Sequence, residues 1–182
     1  MADELIDICD EDNNVIGQAM KSEALAKNLW HRGARILFYN TKGEILIQLR
    51  SKDKELFSDR WDVGAAGHVA AGEDYADAAI REAKEELGIE VKKDDLNLLM
   101  IEKCQTPWGN IQEKVFAATY LAKFDGYLGE LKIQQEEVQE IKFISADSLA
   151  AEYKKQPQLF TPYADKYRAK LISEVKKLTE KQ

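Results

Sequence analysis

Residues Gly67 to Ile89 read GHVAAGEDYADAAIREAKEELGI, and the fold turns on how this stretch divides. Its first residues are small and apolar and lead into a Gly-Glu-Asp turn. From Asp74 to Leu87 the apolar positions Ala76, Ala79, Ile80, Ala83 and Leu87 recur at helical spacing, which predicts an amphipathic helix that stops at Gly88. With about 3.6 residues per turn, Glu82, Glu85 and Glu86 project from one face of that helix. Three like charges so placed repel one another. Either water solvates them as an ordinary acidic face, or a hard cation such as Mg²⁺ or Mn²⁺, which prefers an all-oxygen ligand set, sits among them.

Working upstream, Trp61 to Ala71 (WDVGAAGHVAA) is expected to be one buried strand whose backbone approaches something closely. The charged segment Arg50 to Arg60 is expected to be a loop. Arg35 to Tyr39 and Glu44 to Leu49 are β-rich runs around Asn40-Thr41-Lys42-Gly43, which predicts a hairpin. Leu5 to Cys9 and Val15 to Ala19 flank a polar turn and predict an opening hairpin. Ser22 to Leu29 predicts a short helix capped by its serine. Downstream, Leu96 to Cys104 and Val115 to Phe124 predict another hairpin with a turn at Pro107-Trp108-Gly109-Asn110. A strand over Glu140 to Ile144 follows, then helices over Ala146 to Lys155 and Pro162 to Leu178, the latter opened by its proline. The order implies a mixed α+β or α/β sheet flanked by helices. The whole chain, 1–182, is expected to be one domain, with an N-terminal hairpin and short helix over 1–29 and C-terminal helices over 146–182.

Composition narrows the function. The 182 residues carry 26 basic and 33 acidic side chains, a net charge of −7, which argues against broad electrostatic binding to nucleic acid or to an anionic membrane. No run reaches the roughly 18 apolar residues of a membrane span, and Met1 to Asp10 lacks the pattern of a signal peptide, so a cytoplasmic protein is expected. Cys9 and Cys104 are too few for a disulfide framework and are expected to be buried thiols.

The quoted stretch fits the pattern G-x5-E-x7-R-E-U-x-E-E-x-G-U, with U a bulky aliphatic, at Gly67, Glu73, Arg81, Glu82, Glu85, Glu86 and Gly88. Ala83 is small for the first U. The chain therefore resembles the Nudix family over roughly residues 30 to 145. That resemblance implies an α/β/α sandwich and hydrolysis of a diphosphate in a small-molecule substrate, with Mg²⁺ or Mn²⁺ as cofactor. It implies that Glu82, Glu85, Glu86 and the Gly67 carbonyl are metal ligands. Glu73 and Arg81 match an ion pair that holds the loop on the helix beside the metal shell. Glu85 is the first candidate for the base that activates water, with Glu113, Glu137 and Glu140 behind it.

A narrower resemblance joins Trp30 to Gly33, Arg50 to Lys54 and Trp61 to Glu73 to type 1 isopentenyl diphosphate isomerase, which shares the fold. It implies that Arg50 and Lys54 hold a substrate diphosphate. The isomerase cysteine falls at Ala66, which has no titratable proton, and its later glutamate falls at Ile111, or at Glu113 with a small gap. His31 and His68 match two of its metal-binding histidines, while a third falls at Ala24. Hydrolysis is therefore the expected chemistry, isomerisation the rival, and non-catalytic binding of a diphosphate the alternative outside catalysis. His68 is read as a structural or substrate-edge residue, His31 as a packed or capping one, and Trp61 and Trp108 as core rather than base-stacking surfaces. The opening hairpin and the last helix are each candidate contacts for a homodimer.

Overall fold

The computed structural model describes residues 3–54, 57–108, 111–162 and 165–179. Its organising element is β3 (Trp30–Tyr39), longer at its start than Arg35 to Tyr39, because Trp30 to Gly33 also finds partners on both edges. On one edge β3 pairs antiparallel with β1 (Leu5–Cys9) and β6 (Ala65–His68). On the other it runs parallel to β8 (Ile111–Lys123), from Trp30 opposite Lys114 to Tyr39 opposite Lys123. β2 (Val15–Met20) completes the opening hairpin, whose turn is held by Asp10 accepting from the amides of Asp12 and Asn14. β4 (Glu44–Arg50) meets β3 at Tyr39–Ile45 and then pairs with β5 (Trp61–Val63) and β9 (Val138–Ser145). β7 (Asn97–Trp108) pairs antiparallel with β8. The result, among the described residues, is a mixed sheet of nine strands.

The alternation of β3 builds a core on each face. Ala34, Ile36 and Phe38 pack with Ala78, Ala79, Ala83 and Leu87 of α2 (Tyr75–Leu87). Leu37 and Tyr39 pack with Leu149 of α3 (Ala146–Lys155) and Leu171 and Val175 of α4 (Asp165–Thr179). Helices on both faces of a mixed sheet are the expected α/β/α sandwich. No helix among the described residues is long and apolar enough to cross a membrane.

Four local expectations are revised. Trp61 to Ala71 is not one strand: Gly64 has φ +70° and a Cβ there would lie 1.8 Å from the Ile36 carbonyl oxygen, so the chain breaks between β5 and β6. Ser22 does not cap α1 (Lys21–Ala26). The cap position is Met20, and the Ser22 hydroxyl donates instead to Asp3 at 2.6 Å. Pro107 and Trp108 belong to β7, opposite Gln112 and Ile111, and residues 109–110 of the expected turn lie outside the described residues. The last helix starts at Asp165 rather than Pro162, with 163–164 outside the described residues.

Candidate active site

α2 is fixed at both ends by the residues that marked it in the sequence. Asp74 accepts the amide hydrogen of Asp77 at 2.9 Å, a cap worth about 1 kcal/mol, and Gly88 closes the helix at φ +70°. The helix buries Ala78 rather than Ala76, and the buried face also takes in Glu86. The three carboxylates are thus graded. The Glu85 side chain is 54% exposed, that of Glu82 12%, and residue Glu86 as a whole 7%.

Arg81 ties this helix to the loop before it. Its Nε donates to Glu73 Oε1 at 3.1 Å, and its Nη2 to Glu73 Oε2 at 3.1 Å and to the His68 carbonyl at 2.9 Å. Nη1 donates to Glu82 at 2.6 Å and Glu85 at 3.2 Å. Glu73 in turn accepts the Ala70 amide at 2.9 Å. A bidentate guanidinium pair of this kind fixes direction as well as distance. On the strand side, a Cβ on Gly67 would lie 2.0 Å from Glu82 Oε1, so the absence of a side chain there admits the carboxylate.

Glu86 is the electrostatic extreme of the group. Burial, then the charges of Glu82 and Glu137, push its carboxyl up to about 8, against the opposing pull of Lys54 and Arg50. Burial also raises Glu82, despite Arg81. A divalent cation would relieve both, and oxygen donors grouped beside a bare glycine fit one.

Gly67, Arg81, Glu82, Glu85 and Glu86 line a cavity of about 640 Å³ that also receives Arg50, Lys54, His68, Glu113 and Glu137, while Glu73 stands behind it. Lys54 enters the cavity as half of an ion pair: its Nζ is held by Glu137, and the Ser51 amide donates to the Glu137 carbonyl at 2.8 Å. Glu140 is not among the lining residues and lies opposite Leu49 on β9. Trp61 is half-buried against the core, 4.0 Å beneath the Lys142 ammonium, rather than in the cavity. Cys9 is buried, but Cys104 is only partly so and lines the cavity.

A second cluster lies on the β3–β6–β8 part of the sheet. His31 is wholly buried and stacks on His68 with ring centroids 5.1 Å apart. Its Nδ1 meets the Leu29 carbonyl at 3.0 Å, and its Nε2 has no hydrogen-bond partner among the described residues. His68 Nε2 is 3.7 Å from Glu113 Oε1. Donor atoms of His31, His68 and Glu113 all lie within 4.8 Å of one another, a set that could hold a metal ion. Burial, then His68, hold His31 below the usual histidine range; burial works to raise Glu113, yet contact with His68 outweighs it and the carboxyl is lowered.

Sequence reasoning missed Gln48, a buried amide on β4 that reaches Glu86. The only signal was one polar residue inside the run Ile45-Leu46-Ile47-Gln48-Leu49.

Comparison with known proteins gives a consistent result. A model of the NUDIX domain matches residues 29–165. An uncharacterized Nudix hydrolase of Pseudomonas aeruginosa is 32% identical over 154 residues, covering 85% of this chain and 86% of the relative. Two likenesses are of fold. DR0079 of Deinococcus radiodurans superposes with a TM-score of 0.65 at 23% identity, over 84% of this chain and 90% of that one. A bifunctional NMN adenylyltransferase/ADP ribose pyrophosphatase of Francisella tularensis, solved with AMP and manganese, has a TM-score of 0.55 at 21% identity, over 79% of this chain and 41% of that one.

Proposed function

The chain belongs to the Nudix hydrolase family, and from that premise we propose that it cleaves a diphosphate linkage in a small organic diphosphate, a nucleoside diphosphate derivative first of all, with Mg²⁺ or Mn²⁺. The observation that carries this reading is the convergence of Glu82, Glu85 and Glu86 on one cavity, with Gly67 bare against Glu82 and Glu86 buried. Glu82, Glu85, Glu86 and the Gly67 carbonyl would hold the cation. Bound there, it would offset the diphosphate charge and make a water more acidic.

The chain's own residues do the rest. Arg81 and Glu73 hold the loop and helix in one geometry, so the donors are set before substrate arrives. Glu85, the most exposed of the three and touched by Arg81, is the proposed base, since it can reach a water in the open part of the cavity. Arg50 and Lys54 face substrate phosphate oxygens, Lys54 by leaving Glu137, and His68 borders the bound group. The AMP and manganese held by the Francisella protein support a nucleotide derivative and a divalent ion. Glu86→Gln is expected to abolish metal-dependent turnover; a variant within a few-fold of wild type would refute the metal assignment.

A second reading has one observation in its favour. The cluster of His31, His68 and Glu113 supports placing the chain on the isomerase-like branch, where histidines hold a metal. Against isomerisation itself stands Ala66, exposed in the cavity with nothing to donate or accept a proton. Isomerase activity gained by Ala66→Cys alone would favour this second reading.

A further inference from the structure

Gln48 is 4% exposed in a strand whose neighbours Ile45, Leu46 and Ile47 are fully buried apolar residues. Its Nε2 donates to the Gly64 carbonyl at 2.7 Å and lies 3.4 Å from Glu86 Oε2, while its Oε1 is buried without a hydrogen-bond partner among the described residues. The orientation of the amide is forced. The Gly64 carbonyl can only accept, so turning the carboxamide over would set its oxygen against that oxygen at 2.7 Å.

An unsatisfied buried oxygen costs about 1–3 kcal/mol, a cost that methionine or leucine at this position would not carry. The bond to the Gly64 carbonyl offsets that cost, so the amide adds little net stability and its contacts explain it. One of them is rigid: Gly64 is pressed against the Ile36 carbonyl at a positive φ, which anchors its own carbonyl to the central strand. The other is Glu86, the most buried of the three helix carboxylates. At 3.4 Å this second contact is at the long end for N–H···O, so it acts on direction more than on strength.

We propose that Gln48 is a positioning residue that carries the fixed Gly64 carbonyl position through to Glu86 and holds that carboxylate toward the cation site. This rests on Glu86 being a metal ligand, as proposed above. Partners outside the ligand shell typically account for roughly 10- to 100-fold in metal affinity.

The test compares wild type, Gln48→Met, Gln48→Asn and Glu86→Gln, with Mn²⁺ binding to the metal-free protein read by the electron paramagnetic resonance signal of free Mn²⁺. Gln48→Met keeps the volume and removes both donors; Gln48→Asn keeps an amide but draws it back by one carbon. Each is expected to weaken Mn²⁺ binding about 10-fold or more, with the melting temperature of the metal-free Gln48→Met protein within a few degrees of wild type, since the unpaired Oε1 and the bond to the Gly64 carbonyl are lost together. Activity at saturating Mg²⁺ should recover while the half-activating Mg²⁺ concentration rises by the same factor. Mn²⁺ affinity within two-fold of wild type in the Gln48 variants, with Glu86→Gln strongly weakened, overturns the role of Gln48 and leaves the site intact. Unchanged affinity in Glu86→Gln overturns the site and the role together. Should Gln48→Met not fold, Gln48→Asn decides alone.

Discussion

Replacing Gly67 by alanine should separate the geometry of the site from the stability of the fold. Gly67 does not occupy a left-handed conformation, so its backbone accepts alanine without strain. The added Cβ, however, would meet Glu82 Oε1 at 2.0 Å, Cδ at 2.2 Å and Oε2 at 2.6 Å. To reach ordinary contact at about 3.4 Å the carboxylate must retreat by roughly 1.4 Å, and in doing so it leaves the Arg81 bond of 2.6 Å. Because the obstacle is a side-chain end rather than backbone, the fold can yield there at little cost. Catalysis cannot, since a misplacement of about 1 Å costs on the order of 100-fold. The expected result is a fall of about 100-fold in kcat/KM with a melting temperature within a few degrees of wild type. Steady-state kinetics and thermal denaturation check it. Turnover within a few-fold of wild type, or loss of activity only in step with loss of folding, would refute the reasoning.

Two further outcomes follow from burial and backbone. Because burial raises Glu86 to about 8 from an ordinary 4.5, the stability tied to its protonated form is complete below about 4.5 and lost as pH rises through 8; in EDTA, Glu86→Gln should match wild type near pH 5 and exceed it by on the order of 3–5 kcal/mol at pH 9. A difference in denaturation free energy that stays flat with pH would contradict this. Gly64→Ala places a Cβ 1.8 Å from backbone that cannot retreat, at φ +70°, and should cost about 3 kcal/mol or more, lowering the melting temperature by roughly 6–12 °C; a shift under 2 °C would contradict it.

The parts of the fold written in local patterns were legible in the sequence. Asp74 and Gly88 bound α2 because capping depends on residues within one turn, and the spacing of Glu82, Glu85 and Glu86 fixes a shared direction whatever surrounds the helix. What depended on distant neighbours was hidden. Gly64 looks like any glycine in a small apolar run, and only the Ile36 carbonyl pressed against it breaks the strand. Trp30 to Gly33 mixes aromatic, basic and glycine residues without alternation, and it is strand because β1, β6 and β8 supply partners. Lys54 read as a free cation until the segment before β9 brought Glu137 to it. Sequence matched His31 and His68 to a metal site, but His31 read as a packed residue, and its stacking on His68 beside Glu113 became visible only when β3, β6 and β8 were assembled. Gln48 carries no motif at all, and its meaning lies in an oxygen left unpaired.

The measurement that bears most directly on the central claim is phosphorus NMR of wild type and Glu86→Gln with Mg²⁺ and a panel of nucleoside diphosphate derivatives and isopentenyl diphosphate. Cleavage of a diphosphate signal by wild type, absent in Glu86→Gln and in EDTA, is the predicted result. Cleavage that persists in Glu86→Gln, or saturable broadening of one compound's signals without any cleavage, would contradict it.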